Sequence, residues 1–181
     1  MSQAGNIRRA ALAALVLTCC AVVMGCGYGK NFPVEPLQQS LTAYKQVFFS
    51  AQTGLAEDIS KQITYMEERT VKKLNGTKLF QEVAVGDCKV NCDGTLMVKA
   101  DITDIKKVSE GARFFLGMFA GSAWIKAKVS LIEASTARVI GTYDVEGNSG
   151  SSGFSGGTNS AVNKAVDEII KIVKENCRQK S

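Results

Sequence analysis

The chain has 181 residues, carries 22 Lys and Arg against 17 Asp and Glu for a net charge of +5, and contains no histidine. This length suits one domain with its own core. The missing imidazole removes serine–histidine catalysis, and the dispersed positive charge, with no basic stripe interleaved by aromatics, points away from nucleic acid.

Arg8 and Arg9 form a positive start, and Ala10 to Met24 is an apolar run without a charge. That run is too short to span a membrane as a retained helix, and small Gly25 stands before a cysteine. Val23-Met24-Gly25-Cys26 resembles the lipobox of bacterial lipoproteins, in which a signal peptidase cuts before a diacylated cysteine. The resemblance implies a signal peptide over residues 1–25 and a lipid anchor on Cys26. At roughly 0.8 kcal/mol per buried methylene, two acyl chains hold a protein to a membrane stably. Cys19 and Cys20 are poorer sites, because Thr18 and Cys19 suit the cut badly and cleavage there would leave Ala21 to Met24 exposed. Gly27 is not the Asp that resembles an inner-membrane retention signal. The expected location is therefore the periplasmic face of the outer membrane. The mature chain would keep 156 residues and a charge of +3, without Arg8 and Arg9.

Residues 26–40, with Pro33 and Pro36, read as the lipidated cysteine and a tether, and residues 41–181 as a single α/β domain. Leu41 to Phe49 is a β-rich run. Leu55, Ile59, Ile63, Met66, Val71 and Leu74 then recur at helical spacing up to an Asn75-Gly76 stop. Leu79 to Val85 is a short strand. Leu96, Val98, Ala100 and Ile102 alternate with polar neighbours, as do Ile125, Ala127, Val129 and Leu131. Glu133 to Ala137 is a turn, and Val139 to Val145 is the returning strand. After a Gly/Ser loop, Val162, Val166, Ile169, Val173 and Cys177 make one helix face, with Thr158 or Asn159 as its cap. The order βαββββα predicts a two-layer α/β sandwich: a mixed sheet of about five strands with two helices on one face.

Cys88 and Cys92 flank a short polar loop, and an oxidising compartment favours a disulfide between them. So small a loop gives only about 2 kcal/mol of chain entropy, so the bond would stiffen a connection more than it holds the fold. Three cysteines without histidine are a poor zinc set, and no metal or other cofactor is expected. Cys177 is left unpaired and reads as a small buried side chain.

Arg113-Phe114-Phe115-Leu116-Gly117-Met118-Phe119-Ala120-Gly121-Ser122-Ala123 and Glu133-Ala134-Ser135-Thr136-Ala137-Arg138-Val139 resemble two segments of bacterial lipoproteins carrying domain of unknown function 4410. The likeness covers roughly Leu41 to Cys177. It departs from the family pattern at Phe119 and Ala137, each of which replaces a glycine. Ala137 makes a left-handed backbone costlier, so a locally different turn is expected. No activity comes with the family. The resemblance implies an architecture like the small α/β domains of periplasmic assembly lipoproteins.

Gly153-Phe154-Ser155-Gly156-Gly157 matches the nucleophile-elbow spacing, but without a histidine to take the serine proton it predicts no catalytic site. Phe114 to Ile125 is a charge-free segment of twelve residues, and Gly117 and Gly121 sit four apart within it. It is either a buried crossover or an exposed contact loop. In the second case Phe114, Phe115, Met118, Phe119 and Trp124 are the contact residues. The expectation is a non-catalytic envelope lipoprotein that binds a protein or cell-wall partner. The alternatives are a subunit of an oligomeric assembly and an enzyme of unrecognised type.

Overall fold

The computed structural model describes residues 27–37, 39–108, 121–150 and 157–178. In chain order the elements are β1 (Tyr28–Glu35), a 3₁₀ turn (Leu41–Ala43), β2 (Gln46–Thr53), α1 (Ser60–Thr77), β3 (Glu82–Val85), β4 (Thr95–Lys106), β5 (Trp124–Glu133), β6 (Arg138–Asn148) and α2 (Thr158–Arg178). The strands form one sheet in the order β1-β6-β5-β4-β2-β3. β2 runs parallel to β3 and β4, and the other neighbours are antiparallel. The mixed sheet and the two helices are as expected, but the described strands number six, not five.

The additional strand is β1, which corrects the tether reading of residues 26–40. Tyr28 to Glu35 pairs with β6 through a register that slips between Pro33 and Glu35. Pro33 lacks an N–H, yet an edge strand next to a bulge accommodates it. Three further boundaries move. Leu41–Ala43 is a 3₁₀ turn, not strand, because the Ser40 side chain accepts the Thr42 N–H at 3.3 Å. The first helix starts at Ser60, not Leu55, where Asp58 Oδ1 accepts the Ser60 N–H at 3.0 Å. It also runs past Asn75-Gly76 to Thr77 and stops where Lys78 turns left-handed at φ 58°.

The alternation in β4 and β5 sends Leu96, Val98, Ala100 and Ile102, with Ile125, Ala127, Val129 and Leu131, into the core. Both helices cover that face. α2 lies over β6, β1 and β5, α1 over β2 and β3, and the helices touch each other. Arg69 Nε donates to Asn163 Oδ1 at 3.0 Å, Asn163 Nδ2 donates to the Tyr65 hydroxyl at 2.9 Å, and Lys73 pairs with Asp167. α2 comes close to the sheet over Gly29 and Gly147, which are cross-strand partners. A methyl built on Gly147 would lie 2.1 Å from the Ala161 carbonyl oxygen.

The chain from β3 to β4 must step across β2. Asp87 pairs with Lys99 at 3.0 Å, and Lys99 alternates with buried Val98 and Ala100. This crossover therefore runs over the sheet face opposite the helices, and it carries Cys88 and Cys92.

Candidate functional site

The register aligns Tyr28, Asn148, Trp124 and Lys106 in one row at the end of the sheet where β1 begins. Lys30 Nζ sits 4.6 Å from the Tyr28 ring centroid, and Lys106 Nζ sits 4.7 Å from that of Trp124. Trp124 Nε1 donates to Asp104 Oδ2 at 3.2 Å, and Lys126 pairs with the same oxygen at 3.3 Å. The Tyr28 hydroxyl donates to Glu146 at 3.2 Å. Two amphipathic aromatic rings, each with an ammonium over its face, thus mark this end. Of the side chains expected to form one contact surface, Trp124 is here, half-buried. Phe114, Phe115, Met118 and Phe119 lie outside the described residues, as do Cys26 and Gly153 to Gly156.

The opposite end, where β1 finishes and β6 starts, holds two shallow openings that share Gln39. One, of about 580 Å³, lies among Val34, Glu35, Pro36, Arg138 and Val139. The other, of about 460 Å³, lies among Ser40, Thr42, Tyr44, Glu133 and Ser135. The Tyr44 hydroxyl accepts from Gln39 Nε2 at 3.0 Å and donates to Glu133 Oε1 at 3.4 Å. Burial, then the Glu133 charge, pushes the Tyr44 phenol above its usual value. The Thr136 hydroxyl, at 2.7 Å, leads the interactions that hold Glu133 below the usual carboxylate range. The pair stays phenol and carboxylate through neutral pH, so it orders this end without exchanging a proton.

Cys88 and Cys92 are joined by a disulfide with Cα atoms 5.8 Å apart, and Cys177 is free and half-buried, its thiol pushed up by burial. Among the described residues, no group of three or more histidine, cysteine or carboxylate side chains is placed to hold a metal ion. No described helix is long and apolar enough to cross a membrane. Sequence reasoning missed the exposed apolar side chains Tyr28, Phe32 and Val34 of β1. Their period of two was the available signal, interrupted by Pro33.

Among the described residues the chain forms a two-layer α/β domain, with both helices on one face of the sheet and β1 and β3 as its edge strands. The chain belongs to the family described as Domain of unknown function (DUF4410), which matches residues 30–153. Its fold is similar to that of the PelC dodecamer from Paraburkholderia phytofirmans, at a TM-score of 0.54 and 12% identity over 85% of this chain and 99% of that one. A single-substitution variant of the same dodecamer gives 0.53 and 12% over 84% and 99%. A weaker likeness is to a putative neuraminyllactose-binding hemagglutinin homolog from Helicobacter pylori, at a TM-score of 0.35 and 9% identity over 80% and 88%. No curated protein sequence matches the chain.

Proposed function

We propose that this chain is a lipoprotein of the bacterial envelope, held to the periplasmic face of the outer membrane by acylated Cys26. Its α/β domain acts by assembly, not catalysis. The observation that carries the reading is the start of β1 at Tyr28, two residues after Cys26. Two residues reach at most about 7 Å. An acylated Cys26 would therefore draw the Tyr28–Trp124 end of the sheet against the headgroups, where aromatic rings and lysine stems are at home. Assembly is supported by the shared fold with PelC, which is a dodecamer, and by the edge strands β1 and β3, each paired on one side only among the described residues.

The test is fractionation of cells that produce the full chain or its Cys26→Ala variant, with metabolic labelling by a fatty-acid analogue. The parent is expected in the outer-membrane fraction with label, and the variant without label. Persistent labelling of the variant would assign the anchor to another cysteine, and an unlabelled parent would remove it.

A further inference from the structure

Among the described residues seven large apolar side chains stay exposed, and three of them, Tyr28, Phe32 and Val34, stand on β1. A fourth, Val139, lines the same opening as Val34. The other three, Leu79, Val85 and Val90, belong to β3, the strand at the other edge, and to the chain on either side of it. Proteins normally charge or cover an edge strand, and contiguous exposed apolar side chains mark a contact surface. Phe32, 57% exposed on an edge strand, therefore asks for a cover.

The two sides of β1 differ. A methyl on Gly29 would meet Glu168 and the Lys164 carbonyl of α2, and Asn31 Nδ2 donates to Glu168, so Gly29 and Asn31 turn toward that helix. Tyr28, Lys30 and Phe32 alternate with them and turn away. Val34 falls in the bulge between Pro33 and Glu35 and is exposed there. At the usual strand rise the stripe from Tyr28 to Val34 is about 20 Å long. Where the strand begins says what covers it. Tyr28 is two residues from Cys26, at most about 7 Å of chain, so an acylated Cys26 keeps β1 beside the bilayer. Lys30 Nζ lies 4.6 Å from the Tyr28 ring centroid. An amphipathic ring with a lysine stem beside it suits the boundary between acyl chains and headgroups, where the ring is half wet and the ammonium reaches phosphate. Pro33 has no N–H to give, so β1 is a poor template for a peptide strand, whereas a bilayer asks only for side chains.

We propose that β1 lies along the bilayer surface, with Tyr28, Phe32 and Val34 entering the boundary between headgroups and acyl chains and Lys30 reaching the lipid phosphates. The occupant of the stripe is the lipid surface, and the inference rests on the anchor reading above. It deepens that reading, because the domain then meets the membrane along its β1 edge and not only by its Tyr28–Trp124 end. Trp124 stands two strands from Tyr28 in the same row, about 10 Å at the usual strand spacing, so it sits shallower than Phe32.

The test uses the full lipoprotein reconstituted into vesicles of phosphatidylethanolamine and phosphatidylglycerol with brominated acyl chains, which quench indole emission at short range. Trp124 is the only tryptophan of the chain, so Trp124→Phe gives a dark background. In that background Phe32→Trp is expected to emit further to the blue and to lose most of its intensity, while Val85→Trp, at the other edge, keeps its intensity. Val34→Trp is the second reporter on the stripe should Phe32→Trp misfold. An unquenched stripe indole, with Trp124 of the parent quenched, would overturn the inference in favour of an end-on stance. A stripe indole unquenched by lipid yet shielded from aqueous acrylamide would overturn it in favour of a second copy as the cover. Flotation of the vesicles separates the two readings. Protein that floats with an unquenched stripe refutes the stripe alone, and protein that does not float refutes the anchor and the stripe together.

Discussion

Gly147→Ala is expected to be among the most damaging single-methyl changes in this domain. The new carbon would lie 2.1 Å from the Ala161 carbonyl oxygen and 2.5 Å from the Ala165 nitrogen, both backbone atoms of α2. Ordinary contact begins at 3.4 Å, so the helix must retreat by about 1.3 Å or the strand must sink by as much. Ala161, Val162, Ala165 and Val166 are fully buried on this stretch of helix. A gap of about 0.5–1 Å forfeits a quarter to a half of each van der Waals well, and overpacking generally costs about 1–3 kcal/mol. Replacing a strand glycine returns up to about 1 kcal/mol of backbone entropy, which is too little to offset the loss of several contacts. We expect a net loss of about 3 kcal/mol, a large part of a typical domain's stability. Urea titration followed by circular dichroism, at fixed protein concentration, would show this as a lower midpoint at an unchanged slope. Gly54→Ala is the control, since its methyl meets nothing within 4 Å. If the two variants melt alike, the close approach of α2 over Gly29 and Gly147 is not a determinant of the fold.

Ala137 takes φ 56°; the left-handed form costs a non-glycine residue about 1–2 kcal/mol, so Ala137→Gly should raise the urea midpoint, with about 0.5–1 kcal/mol left after the entropy glycine loses. Thr70 Oγ1 is buried without a hydrogen-bond partner, so Thr70→Val should stabilise the domain by about 1 kcal/mol in the same titration. Reducing Cys88–Cys92 should cost no more than about 2 kcal/mol and leave the circular dichroism intact; a collapse on reduction would mean the crossover over β2 depends on the bond. Because the Tyr44 phenol is raised above the usual tyrosine value, a phenolate absorbance titration should contain a late-ionising step, and Tyr44→Phe should remove it. The sign follows: a raised phenol contributes stability below the usual tyrosine range and loses it as pH climbs through the folded value.

The parts of the fold that were legible in the sequence are those where one periodicity governs. β4 and β5 alternate because one face is core and the other is not, and α2 shows its apolar stripe for the same reason. β1 was hidden because its inward positions are Gly29 and Asn31, chosen for the close approach of α2 and a hydrogen bond to Glu168. Its apolar residues face outward, and Pro33 reads as a linker residue. The turn after β5 shows that composition misleads over a single residue: Ala137 keeps the left-handed backbone that glycine would take without strain. At the candidate site, Trp124 was legible as an apolar side chain, but its hydrogen bond to Asp104 and the lysine over its ring depend on cross-strand register.

An acylated Cys26, two residues before the start of β1 at Tyr28, would set how the domain stands on a membrane. Mass spectrometry of the N-terminal peptide of the protein extracted from outer membranes tests it most directly. The expected peptide begins at Cys26 and carries the mass of two or three acyl chains. A peptide beginning elsewhere, or an unmodified Cys26 in membrane-bound protein, would contradict the account.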